Sequence, residues 1–358
     1  MERGWEFLSA RTDTLPPASL AFEMDISAPV AADEVVRRAR TELGIDLDFE
    51  PRDEGFSAML ALDNLPHPPP ERAQALLPAL IRRVEACHWR GRYRFFPTVR
   101  EFAADTDCTA LAAAGLHRHH ALRPSRLAAS ARELLAAGAP ESSARDGLLP
   151  GAAMVYWEDG AEPLARPRGR KHDAVVSANV LRTLHLAEQH DSHEGRRTVD
   201  ATLRHVEDHL RSGRYLGGTR YYPSPAAFLH AVARLCGVCH DCATRLGPLL
   251  RNACAALPAP TNALDLALFI ICAETCAAPG DRHGHRAELA GRQRPDGAWP
   301  AHAYFRTGRV PIYFGSAHLT TVFALRALGS DSSKPPEPHR THAPGRAGAP
   351  RPDPWGAR

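Results

Sequence analysis

FAADTDCTAL, residues 102–111, runs directly into CTALAAAG, residues 108–115, and the reading of this join decides the fold. Two aspartates, Asp105 and Asp107, stand ahead of a stretch of Ala, Leu and Thr with no charge. Ala and Leu favour helix, and an Asp just before such a run is an N-cap signal. The predicted helix is apolar around its whole circumference. It offers water no face and must be enclosed by other helices.

Outward from this join the same grammar recurs. Residues 262–277, NALDLALFIICAETCA, are again apolar on all sides. Other runs keep one polar face. In 70–88, Ala73, Leu76, Leu77, Leu80, Ile81 and Val84 form a stripe at helical period opposite Arg72, Arg82 and Glu85, with a kink expected at Pro78. Further helices are predicted over 33–43, 55–64, 107–117, 126–137, 174–189, 198–212, 225–257 and 316–328. Extended structure is expected only near 93–99. Gly, Pro, Asp and Ser breaks separate the runs. Alternating enclosed and amphipathic helices, about 10–12 in all, describe an all-α helical barrel of repeated hairpins. Residues 1–329 are expected to form that one domain. The stretch 330–358, rich in Pro, Gly and charge, is expected to be a disordered tail.

Composition narrows the function classes. The chain has 358 residues, 44% hydrophobic and 24% charged, with 44 Lys plus Arg against 41 Asp plus Glu. A net charge of +3 is too small for a general nucleic-acid binder, which needs a dense basic face. The first twenty residues carry Glu2, Arg3, Glu6, Arg11 and Asp13 and no apolar core of an export signal. The apolar stretch 263–271 is interrupted by Asp265 and is too short to span a bilayer. A cytoplasmic protein is expected, with its eight cysteines mostly reduced.

Two segments carry a resemblance. FAADTDCTAL resembles the Asp-rich helix start of the squalene/terpene cyclase superfamily, written Asp-x-Asp-Asp-Thr-Ala or Asp-Cys-Thr-Ala. Asp105 falls at the first Asp, Asp107 at the central proton-donating Asp, and Cys108 at the Asp-or-Cys position. QRPDGAW, residues 293–299, looks like the Gln-Trp element of the same superfamily. FGSAHLTTVFALRAL, residues 314–328, is similar to the helix that follows such an element in the α/α toroids of class II terpenoid cyclases and prenyltransferases. Lesser echoes are 173–184 (DAVVSANVLRTL) and 221–225 (YYPSP). The resemblance spans most of 102–328 and implies an α/α toroid equivalent to one half of a two-barrel cyclase.

It also implies acid-initiated cyclisation or isomerisation of a prenyl or polyprenyl substrate, with Asp107 as proton donor and no cofactor. Protonating an unactivated alkene needs a carboxyl held neutral, through burial or a neighbouring carboxylate. Asp105 is expected to share that proton, and Cys108 to orient the carboxyl. Either aspartate alone would equally serve as an N-cap. Phe95, Phe96, Tyr222, Tyr313 and Phe314 are the expected cavity-lining aromatics, with core packing the alternative at each. Gln293 is expected to cap a helix and Trp299 to stack on it, as architecture.

Departures from the family leave alternatives. The chain holds one barrel's length, sparse Gln-Trp elements and 7% aromatics. A second protein completing the cavity, or a non-catalytic toroid binding a lipid or a partner protein, fits these facts; a lipid substrate also fits peripheral membrane contact. A zinc-dependent prenyltransferase-like site would need Asp-x-Cys, whereas Asp107 and Cys108 are adjacent and Thr320 stands at the expected His, with His318 two residues away. No metal ligand is therefore assigned. No DDxxD-type magnesium run is present. The string Cys236-x-x-Cys239-His240 matches a c-type haem signature, which requires export. On one helix, Cys236, Cys239 and His240 would share a face open to zinc, with Cys272 or Cys276 as fourth ligand, or would simply be small residues between close helices. Cys242 belongs to the same cluster.

Overall fold

The computed structural model describes residues 1–10, 19–22, 26, 29–47, 49–190, 193–308 and 312–329; the expected tail, 330–358, lies outside them. In chain order the helices are α1 (Glu2–Ser9), α2 (Ala32–Leu43), α3 (Phe56–Asn64), α4 (Leu76–Ala86), α5 (Thr106–Arg118), α6 (Pro124–Ala136) and α7 (Ala174–Leu186). They continue as α8 (His193–Arg211), α9 (Pro225–Cys236), α10 (His240–Ala256), α11 (Ala263–Thr275), α12 (Arg282–Gly291) and α13 (Ala317–Gly329). Among the described residues five short strands, β1 (Ser19–Phe22), β2 (His88–Trp89), β3 (Arg92–Tyr93), β4 (Phe305–Arg306) and β5 (Ile312–Gly315), lie between them.

Side-chain character sorts the helices into two layers. All nine residues of α3 are buried, and α5, α7, α9, α11 and α13 are buried over most of their length. Each packs on the next, and α13 returns to α3, so the described inner helices close a ring. Helices α4, α6, α8, α10 and α12 cover α3, α5, α7, α9 and α11, and α1 covers α13. These outer helices bury a stripe only: Leu76, Leu80 and Val84 on α4; Val199, Leu203, Val206 and Leu210 on α8. Burying each such side chain contributes roughly 2 kcal/mol. The fold is thus an all-α α/α toroid, with β1–β5–β4 as a small antiparallel sheet at its edge.

Four details differ from the sequence reading. The run 225–257 is two helices, broken at Gly237–Val238, and the Cys239 side chain caps the second by accepting the Cys242 amide. The run 70–88 becomes a helical turn at Glu71–Ala73 followed by α4, so Pro78 sits in a first turn, where its missing N–H has no acceptor to lose. Of the expected extended segment 93–99 only Tyr93 is in a strand, as the second residue of Arg92–Tyr93, which pairs with His88–Trp89. Helices α1 and α12 have weak signals, the first short and the second holding two glycines.

The Gln-Trp element closes the α12–α13 connection. Gln293 does not cap a helix; its Nε2 donates to the Gly297 carbonyl across the turn, 2.8 Å away. The fully buried Trp299 does the capping. Its indole N–H donates to Leu289 O in the last turn of α12 at 2.7 Å, and its amide donates to Thr321 Oγ1 of α13 at 3.0 Å. Gly297 has φ +88°, and a Cβ there would run into the Arg3 carbonyl, so the turn and the docking of α1 both require glycine.

The inner helices are laid out with opposite chemistry at their two ends. The loops and first turns before α3, α5, α7, α9 and α13 surround a cavity. Near the last turns lie Asp63 and Asn64 of α3, Arg118 of α5, Arg182 of α7, Arg234 of α9 and Arg326 of α13. Arg182 Nη1 and Arg234 Nη1 reach Asp63 Oδ2 at 2.9 and 2.7 Å, and Arg326 Nη1 donates to Asn64 Oδ1 at 2.5 Å. Cations suit helix C-termini, whose exposed carbonyls carry partial negative charge. No helix among the described residues is long and apolar enough to cross a membrane.

Candidate active site

The join of residues 102–111 resolves into two distinct jobs. Asp105 is the N-cap of α5: its Oδ1 accepts the Cys108 amide at 2.7 Å. Asp107 lies two residues further on, the second residue of α5, with its carboxyl directed elsewhere. Thr106 and Thr109 hold the helix start in place. Thr106 Oγ1 donates to Met154 O at 2.9 Å, and Thr109 Oγ1 accepts the Tyr93 amide at 3.0 Å.

Asp107 is 6% exposed, and both its oxygens are engaged. Oδ1 accepts from Asn179 Nδ2 of α7 at 2.8 Å, and Oδ2 accepts from the Tyr222 hydroxyl just before α9. Burial first, and then the charge of Asp105, pushes the Asp107 carboxyl up to about 7, against the two hydrogen bonds that favour its anion. Burial likewise pushes Asp105 up to about 6 despite its bonds to Cys108. Asp105 therefore acts on Asp107 through charge, its own oxygen being held by the Cys108 amide. The Cys108 thiol, buried beside both carboxyls, is raised well above its ordinary value and stays protonated. Tyr222 is also raised, by burial and by Asp107, and remains a phenol able to donate.

Behind Asn179 lies a second support. Its Oδ1 accepts from Arg234 Nη2 at 3.2 Å, which fixes the amide so that Nδ2 points at Asp107. Arg234 is itself held by Asp63. A line of hydrogen bonds thus joins the carboxyl at one end of the ring to the arginine cluster at the other.

The cavity in front of Asp107 encloses about 860 Å³ of space, part of it at an open mouth. Phe56, Phe95, Phe102, Tyr156, Tyr222 and Phe305 supply aromatic wall around Asp105, Asp107 and Cys108. Aromatic faces stabilise nearby cations by their quadrupole. Arg168, Lys171, Arg220 and Arg306 add four cationic side chains to the lining. Arg168 stacks over Phe102 at 3.9 Å, and Arg306 Nε donates to the Arg220 carbonyl at 2.7 Å.

Of the residues singled out in the sequence, Asp105, Asp107, Cys108, Phe95 and Tyr222 come together at this cavity. Three others stand one layer back. Phe96 is fully buried against Phe49 and Phe102, and Phe314 stacks under Phe305 with centroids 5.1 Å apart. The Tyr313 hydroxyl accepts from Arg306 Nη1 at 3.2 Å. Sequence reasoning did not single out Asn179, the wall aromatics Phe56, Phe102, Tyr156 and Phe305, or the four cations. Asn179 had a signal: a polar residue inside the apolar run 173–184 must find a buried partner. The cations come from three separate places, Arg168 and Lys171 from the basic run 166–171 before α7, Arg220 from the loop before α9 and Arg306 from β4, and only the fold brings these together.

No protein-family model matches the chain. A solved protein from Actinoplanes superposes with TM-score 0.60 at 16% identity, covering 92% of this chain and 97% of that one. A substituted form of the type II terpene cyclase MstE from Scytonema, solved with its substrate geranylgeranyl dihydroxybenzoate, gives TM-score 0.55 at 14% identity, covering 91% and 94%. The chain has the type II terpene cyclase fold. In sequence it is 30% identical over 192 residues to drimenol cyclase drtB from Aspergillus calidoustus, a match covering 51% of this chain and 32% of that protein. The chain therefore matches about a third of the length of that curated relative.

Proposed function

We propose that the chain is a class II-type terpene cyclase or isomerase that starts its reaction by protonating an alkene, or an epoxide, of a prenyl or polyprenyl substrate from Asp107. The observation that carries this reading is a buried carboxyl, raised to about 7, facing an aromatic-walled cavity. An acid in open water would be ionised at neutral pH and could not protonate carbon. Here burial keeps the proton on, while Tyr222 and Asn179 are already placed to stabilise the carboxylate once the proton leaves. Donors aimed at the charge that develops lower the barrier more than donors that serve the resting state equally.

The proton leaves Asp107 for the terminal alkene carbon, and the cation formed at the neighbouring carbon is attacked by the next double bond. Loss of a proton, or capture of water, ends the sequence. The aromatic wall stabilises the intermediates, and Asp105 stays an anion-prone neighbour that keeps Asp107 protonated. Arg168, Lys171, Arg220 and Arg306 favour a substrate with an anionic head group, such as a diphosphate retained through the reaction. The geranylgeranyl substrate of MstE and the cyclase activity in the drtB name support the prenyl class.

The test is incubation of purified protein with prenyl diphosphates of increasing length and with the matching alcohols, followed by mass spectrometry of the extracted lipids. Cyclic isomers or their hydrates are expected from the diphosphates, and none with Asp107→Asn. An unchanged product profile with Asp107→Asn would overturn the reading.

A further inference from the structure

Far from the cavity, a different set of side chains converges. Cys239 is the N-cap of α10 and Cys242 lies in its first turn, while His185 comes from the last turn of α7. Their ligand atoms all lie within 4.8 Å of one another, the Cys242 Sγ to His185 Nε2 separation being 3.8 Å. Zinc bonds of about 2.3 Å to sulfur and about 2.0 Å to nitrogen, at a tetrahedral angle, put those two atoms roughly 3.6 Å apart. The Cys242 amide already donates to Cys239 Sγ at 3.1 Å, the bond a ligating thiolate accepts. Both cysteines are buried and His185 is half-buried, so an ion here would be largely enclosed yet within reach of solvent.

We propose that His185, Cys239 and Cys242 form a zinc site that ties the end of α7 to the start of α10, with the fourth position taken by water or by the adjacent His190. The His190 ring lies 4.4 Å from that of His185. The donor set of one imidazole and two thiols suits zinc over magnesium or calcium. It replaces the grouping the sequence offered. The break at Gly237–Val238 leaves Cys236 directed at the Cys242 carbonyl, and His240 is exposed. Cys276 packs against Cys254 instead, with sulfurs 3.9 Å apart, and Cys272 is buried. No histidine completes that second set among the described residues, which makes it an internal control.

The site is structural. Asn179 and His185 are six positions apart on α7, about 9 Å along the axis, so the ion would steady the helix that carries Asn179 without touching substrate. The experiment measures zinc in the full chain, purified without chelators from zinc-supplemented medium, beside Cys239→Ser/Cys242→Ser and Cys272→Ser. About one zinc per chain is expected in the native protein and in Cys272→Ser, and less than a tenth of that in the double variant. Cobalt(II) added to the metal-free native chain should give a thiolate charge-transfer band and the intense visible bands of a four-coordinate ion. That second readout does not depend on the variants folding. A native chain without zinc whose cobalt spectrum is that of the six-coordinate aqueous ion overturns the proposal, as does zinc retained by the double variant or a Cys239–Cys242 disulfide found by mass. None of these outcomes depends on whether Asp107 donates a proton.

Discussion

Asp107 is pulled two ways. As the second residue of a helix it sits where the dipole favours an anion, and two donors favour the same form. Burial and Asp105 oppose them and win, which leaves an acid about half protonated near pH 7. Turnover is therefore expected to hold steady in mildly acidic buffer and to fall about tenfold per pH unit above about 7, read from kcat/KM against pH. The stability consequence has a definite sign. Folding raises this group's pKa from 3.8, so its contribution is fully present below pH 3.8 and lost as pH rises through about 7. Asp107→Asn removes that loss. Its stability relative to the native chain is predicted to improve by roughly 2–4 kcal/mol between pH 4 and pH 8, measured by denaturant unfolding, while turnover disappears. Tyr222→Phe deletes a bond to the anion, and the alkaline limb of the pH profile is expected to move upward by about one unit, with a slower maximal rate.

At the scale of elements, much was legible because it rests on local chemistry. A run such as 108–115 without a polar face identifies an enclosed helix, and the stripe Leu76–Leu80–Val84 identifies a covering one. What failed to show was local chemistry overruled by packing. Helix α1 is eight residues long and exists because it covers α13, and α12 holds Gly284 and Gly291 yet is capped from outside by Trp299. The opposite error joined 225–257 into one helix, since Gly237 alone did not announce the turn that the Cys239 cap enforces. The α12–α13 turn offers a test at this scale. Gly297→Ala must both hold a positive φ and push away the Arg3 carbonyl, so a loss of about 2–4 kcal/mol is expected in denaturant unfolding. A neutral effect would mean that α1 is not docked on this turn.

The whole molecule is a ring with two unlike ends. Neither end could be read from one segment: the cavity gathers residues from before five helices, and the arginine cluster gathers side chains from the ends of four. What sequence did offer was the acid itself and the echoes at 173–184 and 221–225, which turn out to carry Asn179 and Tyr222, its two donors. Asp63 is fully buried and balances arginines from two other helices, so Asp63→Asn leaves buried positive charge without its counter-ion. A loss of about 3–5 kcal/mol is expected, seen as a lower midpoint of chemical unfolding. The central claim is that the carbon skeleton receives its first proton from Asp107. It is tested most directly by running the reaction in D₂O and reading the isotope content of the product. The account predicts one solvent-derived deuterium on the carbon that begins the cyclisation, and no labelled product with Asp107→Asn. Cyclic product without that deuterium, or the same labelled product from Asp107→Asn at the native rate, would contradict it.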